Sequence, residues 1–166
     1  MATIEKKKQK ISPCLWFDGN AEQAVDFYVS VFEDSRKRKV ARYPKEGPMP
    51  EGTVLTVDFQ LEGEDFLALN GGPEFKFNES VSFTINCETQ EEIDYYWEEL
   101  TRGGQESVCG WLKDKFGLSW QVVPTRLGEM LTSGDSERSS NVMQAFMKMK
   151  KFDIKKLEDA YNGVAI

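Results

Sequence analysis

A chain of 166 residues has room for one domain with a buried core and is too short for two independent enzyme domains. Its 28 acidic against 21 basic residues leave a net charge of -7, which repels a phosphate backbone and excludes a nucleic-acid partner. No run of about 18 apolar residues is present to span a bilayer, so no membrane partner is expected.

The opening Met1 to Lys10 is polar, carries the basic cluster Lys6 to Lys10 and lacks the apolar stretch of a secretory signal. Residues 1–10 are expected to be a disordered tail. Cys14, Cys87 and Cys109 are an odd number without framework spacing, which points to a reducing cytoplasm.

Ser12 to Phe17 reads as a first strand, closed by the turn dipeptide Asp18-Gly19. Asn20 then stands as an N-cap with Gln23 three residues on. Ala24, Val25, Tyr28, Val31 and Phe32 recur at helical spacing, which predicts an amphipathic helix over residues 21–32. A basic strand near Lys37 to Tyr43 runs into Pro44-Lys45-Glu46-Gly47-Pro48-Met49-Pro50, whose prolines suit an exposed flap. Thr53 to Leu61 and Phe66 to Asn70 flank Glu62-Gly63-Glu64-Asp65 as a hairpin.

A second round follows: a strand over Ser80 to Cys87, the capping box Thr89-Gln90-Glu91-Glu92, a helix carrying Ile93, Tyr96, Trp97 and Leu100, and a stop at Gly103-Gly104. At an offset of 68 residues, Asp26-Phe27-Tyr28 lies against Asp94-Tyr95-Tyr96 and Val25 against Ile93, so two strand-led modules share one plan. After the strand Leu118 to Val123 comes a helical tail: Leu127 to Leu131, Ser136 to Lys150, and Ile154 to Tyr161, with Phe152 and Leu157 stapling the cap Asp153. The domain plan is therefore residues 11–72 and 79–125 as paired βαβββ modules, then a helical extension over 126–163.

Three segments carry a resemblance: Leu15-Trp16-Phe17-Asp18-Gly19-Asn20-Ala21-Glu22-Gln23-Ala24, Ala68-Leu69-Asn70-Gly71-Gly72-Pro73, and the run from Cys109-Gly110-Trp111 to Val123-Pro124. Together they resemble the PhnB-like branch of the glyoxalase/bleomycin-resistance (vicinal-oxygen-chelate) superfamily over nearly the whole chain. That branch is often labelled 3-demethylubiquinone-9 3-methyltransferase. The resemblance implies an α+β fold in which the paired modules form a cupped mixed sheet, and a homodimer. The methyltransferase label would imply S-adenosylmethionine, yet Gly71-Gly72 and Gly103-Gly104 do not make the glycine-rich strand-to-helix turn of that chemistry.

Relatives with the superfamily's metal site chelate with His, Gln or Glu from four strands. The positions that correspond here are Pro13, Ala68, Ser82 and Gln121, and the chain contains no histidine. No metal and no cofactor are expected. The same correspondence places Pro13, Leu15, Phe17, Phe66, Ala68, Asn70, Ser80, Ser82, Thr84, Ser119, Gln121 and Val123 toward the cup. The apolar alternates, with Trp16, Leu67, Leu69, Val81, Phe83, Ile85, Leu118, Trp120 and Val122, would go under the helices.

Asn70, Ser82 and Gln121 are the expected hydrogen-bonding ligand residues, with Phe17 and Phe66 as an apolar wall and Trp111 as a cap. Lys113 and Asp114 in the same loop are read as an exposed ion pair. Cys109 lacks a histidine to serve as base and is read as structural. The function that follows is metal-independent small-molecule binding or catalysis of unknown substrate. A structural or protein-interaction homodimer with a vestigial cup is the alternative.

Overall fold

The computed structural model describes residues 9–164 and divides into two compact units, residues up to Lys76 and residues from Phe77 onward. The first unit contains β1 (Cys14–Phe17), α1 (Ala21–Val31), β2 (Arg36–Arg42), β3 (Val54–Leu61) and β4 (Glu64–Asn70). The second contains β5 (Phe83–Cys87), α2 (Gln90–Thr101), β6 (Gln105–Glu106), β7 (Trp111–Lys113), β8 (Ser119–Pro124), α3 (Thr125–Leu131), α4 (Ser136–Phe146) and α5 (Ile154–Tyr161). Each unit holds a four-stranded mixed sheet, ordered β1-β4-β3-β2 and β5-β8-β7-β6. This is the α+β, glyoxalase/bleomycin-resistance fold.

The two sheets are built alike: the first strand pairs parallel with the last, and the remaining pairings are antiparallel. The βαβββ plan requires two strands between α2 and β8; they are β6 and β7, whose places the sequence does not give, the stretch from Trp111 to Phe116 reading as a loop, because strands of two and three residues are too short to show a period. Conversely, Ser80 and Ser82 precede β5, which begins at Phe83.

In the first unit, α1 buries Ala21, Ala24, Val25, Tyr28 and Val31. It lies on β3, where Tyr28 stacks with Phe59 at 6.5 Å between ring centroids. Full burial of each large apolar side chain stabilises by about 1.5–3 kcal/mol. Asn20 occupies the N-cap but makes no side-chain cap hydrogen bond. The Ala21 N–H donates instead to Asn70 Oδ1 at 2.9 Å, so β4 caps the helix from across the sheet.

In the second unit, the capping box forms as the sequence predicts: Thr89 Oγ1 accepts from Glu92 N, and the Glu92 carboxylate accepts from Thr89 N. α2 buries Ile93, Trp97 and Leu100. The caps Asn20 and Thr89 lie 69 positions apart, and so do the buried pairs Tyr28 and Trp97, Val31 and Leu100. The helices therefore align one residue away from the expected offset of 68.

The face assignment needs a larger correction. In the second unit it holds within the strands, since Trp120, Val122 and Leu112 are buried while Gln121, Thr84 and Trp111 occupy the opposite, more open face, but Val81, expected under the helix, precedes β5 and is exposed. In the first unit it is reversed. Leu15, Phe17, Ala68 and Asn70 are buried on the α1 side with Val57 and Phe59, and Trp16, Leu67 and Leu69 are half-buried on the other side. Side chains alternate with period two, so a strand placed one residue out has every side chain on the wrong face.

The tail packs within the second unit. The Cys109 and Gly110 N–H groups donate to Met149 O and Lys150 O, each at 2.8 Å. Gln90, the first residue of α2, donates from Nε2 to Phe152 O at 3.0 Å and accepts from Ile154 N at 2.9 Å. Phe152 and Leu157 are buried, as the staple requires. Gln9 exchanges hydrogen bonds with the backbone of Asp65, donating at 3.2 Å and accepting at 2.9 Å. The remainder of the expected tail, residues 1–8, lies outside the described residues.

Candidate functional site

The open face of the second sheet is laid out by two cross-strand rungs. Trp111 of β7 lies opposite Gln121 of β8, and Lys113 lies opposite Ser119. Thr84 of β5 flanks Gln121 on the other side. Residues paired across strands carry their side chains on one face, about 5 Å apart at Cβ. Gln121 Nε2 donates to Ser82 Oγ at 2.9 Å, so two of the three expected polar ligand residues meet.

The third, Asn70, has an internal use in the first unit. It is 6% exposed, accepts from Ala21 N, and donates from Nδ2 to Val54 O at 3.1 Å. Phe17 is buried on the same helix-covered face, and Phe66 stacks on Phe59 at 5.3 Å between ring centroids. Asn70 and Phe17 therefore lie on the side that carries α1, and none of the three stands on the face that holds Gln121 and Ser82, the cause being the reversed face of the first sheet.

Lys113 forms an ion pair with Glu79, not with Asp114. Asp114 is buried, and its carboxylate accepts from Phe116 N at 2.8 Å, Leu118 N at 3.1 Å and Trp120 Nε1 at 2.9 Å. Gly117 N donates to Asp114 O at 2.9 Å, closing the β7–β8 turn. Aspartate at the first position of a turn with glycine at the fourth was the available sequence signal. This turn sets the register that places Lys113 opposite Ser119.

Ser119 is 1% exposed, and its hydroxyl has no hydrogen-bond partner among the described residues. It lines a cleft of about 470 Å³ with Glu79, Ser107, Val108, Trp111 and Lys113. A hydrogen bond from the Lys113 ammonium holds the Glu79 carboxyl below its ordinary range, so the carboxylate is ionised near neutrality. Ser119 is among the residues expected to face the cup, whereas Glu79 was not legible in the sequence, because its place depends on where the chain before β5 returns.

Cys109 also lines this cleft. Its φ is +56°, and its Sγ lies 3.8 Å from Phe146 O. No basic side chain is bonded to it, so the structure supplies no activating partner among the described residues.

Ala68 is fully buried on the helix side, Pro13 offers no side-chain donor atom, and the Gln121 amide is engaged with Ser82. These residues do not fit a borderline metal ion, and among the described residues no group of three or more His, Cys, Asp or Glu comes together. S-adenosylmethionine fares no better. A Cβ at Gly71 would collide with the Trp16 indole and one at Gly104 with the backbone of Lys113, so both glycines serve close packing and neither cradles a nucleoside. No described helix is long and apolar enough to cross a membrane.

A family model described as 3-demethylubiquinone-9 3-methyltransferase matches residues 9–123. A PhnB protein from Bacillus cereus that carries the same description is 36% identical, with a TM-score of 0.65 over 70% of this chain and 100% of that one. A protein from Pseudomonas aeruginosa is 18% identical, with a TM-score of 0.58 over 70% of this chain and 97% of that one. A fosfomycin resistance protein from Listeria monocytogenes is 12% identical, with a TM-score of 0.54 over 77% of this chain and 98% of that one. These two share the fold. A search of curated proteins finds no match. Matched over most of its length by the family model and by a solved relative at 36% identity, the chain belongs to the 3-demethylubiquinone-9 3-methyltransferase family, the PhnB-like branch of the vicinal-oxygen-chelate superfamily.

Proposed function

We propose that this protein binds a small oxygen-bearing molecule on the open face of its second sheet, without a resident metal, as a cytoplasmic homodimer. The observation that carries this reading is the bond between Gln121 and Ser82 on a face whose opposite side is sealed by Trp120 and Val122. The Gln121 carbonyl and the Ser82 hydroxyl orient a neutral or anionic oxygen ligand, and Trp111 supplies the aromatic wall. Among the described residues no titratable side chain is hydrogen-bonded to Gln121 or Ser82, which favours binding over turnover. Methyl transfer finds no support in Gly71 and Gly104, which serve close packing.

The test is a thermal-shift screen of small polar metabolites, followed by titration of a hit against Gln121→Leu and Ser82→Ala. Stranding a polar group of a bound ligand costs about 1–3 kcal/mol, so Gln121→Leu is expected to weaken the hit roughly tenfold or more. Wild-type affinity in both variants, with the fold intact, overturns this reading in favour of a structural homodimer with a vestigial cup.

A further inference from the structure

A buried hydroxyl without a partner loses the water it bonded in the unfolded chain and gains nothing in return. Ser119 is such a group, and the side chain opposite it, Lys113, is tied to a carboxylate at the mouth of the same cleft. That carboxylate, Glu79, belongs to the irregular segment before β5, and its side chain is 60% exposed. An ion pair of this exposure is weak and exchangeable. The cleft thus already presents a cation bearing a carboxylate, an orphan hydroxyl beside it, and an apolar wall from Val108 and Trp111.

We infer that this cleft is a site for a small carboxylate with an apolar substituent, whose carboxylate replaces Glu79 on Lys113 and accepts a hydrogen bond from Ser119. The inference rests on the proposed small-molecule function and names its ligand class. Glu79 acts as a built-in competitor: it holds Lys113 in the empty site and must yield when ligand enters. Freed from Glu79, the Lys113 side chain swings aside and gives the ligand access to the hydroxyl it stands beside. The substituent then lies along Trp111, toward the Gln121 rung of the same face.

The experiment titrates the full-length protein calorimetrically with acetate, benzoate and 3-phenylpropionate, and with the corresponding uncharged amides. The expected result is that at least one carboxylate binds and its amide binds at least about tenfold more weakly. Glu79→Gln tightens the carboxylate roughly threefold or more by removing the competitor, while Lys113→Met and Ser119→Ala each weaken it about fivefold or more. Ser119→Ala adds no bulk or charge to the core, so it remains informative if Lys113→Met proves unstable.

Equal affinity for acid and amide, unchanged or weaker binding in Glu79→Gln, or no binding of any of the three carboxylates overturns the inference. The wider reading fails separately. A ligand lost in Gln121→Leu but indifferent to Lys113 and Glu79 leaves the open-face reading standing and removes the carboxylate assignment. A carboxylate that follows Lys113 and Glu79 but ignores Gln121 does the reverse.

Discussion

At the scale of single residues, the chain carries two groups that the fold places at a disadvantage. Ser119 is the first, a hydroxyl sealed on β8 with no partner among the described residues. Ser119→Ala is expected to raise stability by about 1 kcal/mol in urea melts, because an unsatisfied buried polar group costs about 1–3 kcal/mol. A loss of stability would show that the hydroxyl is bonded in solution. The second is Cys87, 1% exposed at the end of β5, whose thiol is pushed up to about 12 by burial, with Glu92 and Glu88 adding to the effect. A thiol that holds its proton longer in the folded state than in the unfolded chain, where the value is 9.0, withdraws stability as pH rises from 9.0 toward about 12. Melts across that range should fall more steeply for wild type than for Cys87→Ala, and parallel curves would contradict the assignment. The residue scale is also where the sequence was least legible. Asn70 and Asp114 are polar residues whose partners, Ala21 N and Trp120 Nε1, depend on the register of strands not yet placed.

At the scale of elements, local pattern was sufficient wherever an element is long and capped. α5 appears over the expected Ile154–Tyr161, α1 ends one residue early, and the Thr89 box caps α2. α4 stops at Phe146 rather than Lys150, since residues 149–150 turn away to accept hydrogen bonds from Cys109 and Gly110. The reversed face of β1 and β4 has an instructive cause. In each unit the less exposed alternates of the first strand are Leu15 and Phe17 in β1, and Phe83, Ile85 and Cys87 in β5. The correspondence to the family's positions puts Leu15 and Phe17 one residue out of that alternation, which turns every side chain of the strand over. Gly110 shows how closely the tail sits on β8. Its φ is +78°, and a Cβ would stand 2.5 Å from the Phe152 ring and 2.7 Å from Val122 O. Gly110→Ala is expected to cost about 2–4 kcal/mol, read as an earlier urea midpoint, through backbone strain and overpacking combined. A change below about 0.5 kcal/mol would mean that the tail relaxes away from the strand.

At the scale of the whole molecule, the duplication and the fold class were legible because they need only the order of elements, and each unit reproduces that order around its own sheet. What the site binds was not legible, since no titrating constellation announces it. The homodimer proposed here finds apolar surface to bury in Met143 and Met147 of the α4 region, 47% and 64% exposed. Sedimentation at micromolar concentration should give a species of about 38 kDa, twice the 19.0 kDa chain, and a monomer would end that proposal.

The bonds that hold residues 149–154 to Gln90, Cys109 and Gly110 have a consequence for limited proteolysis. Lys148, Lys150 and Lys151 are exposed, yet a protease must draw several flanking residues into an extended strand, and here that requires breaking four hydrogen bonds and unseating Phe152. Lys76 is also exposed, but it lies in the irregular stretch between β4 and β5. Trypsin is therefore expected to cut early at exposed lysines of irregular stretches, after Lys45 in the loop before β3 and after Lys76 where one unit ends and the next begins, and to leave the lysine-rich tail intact.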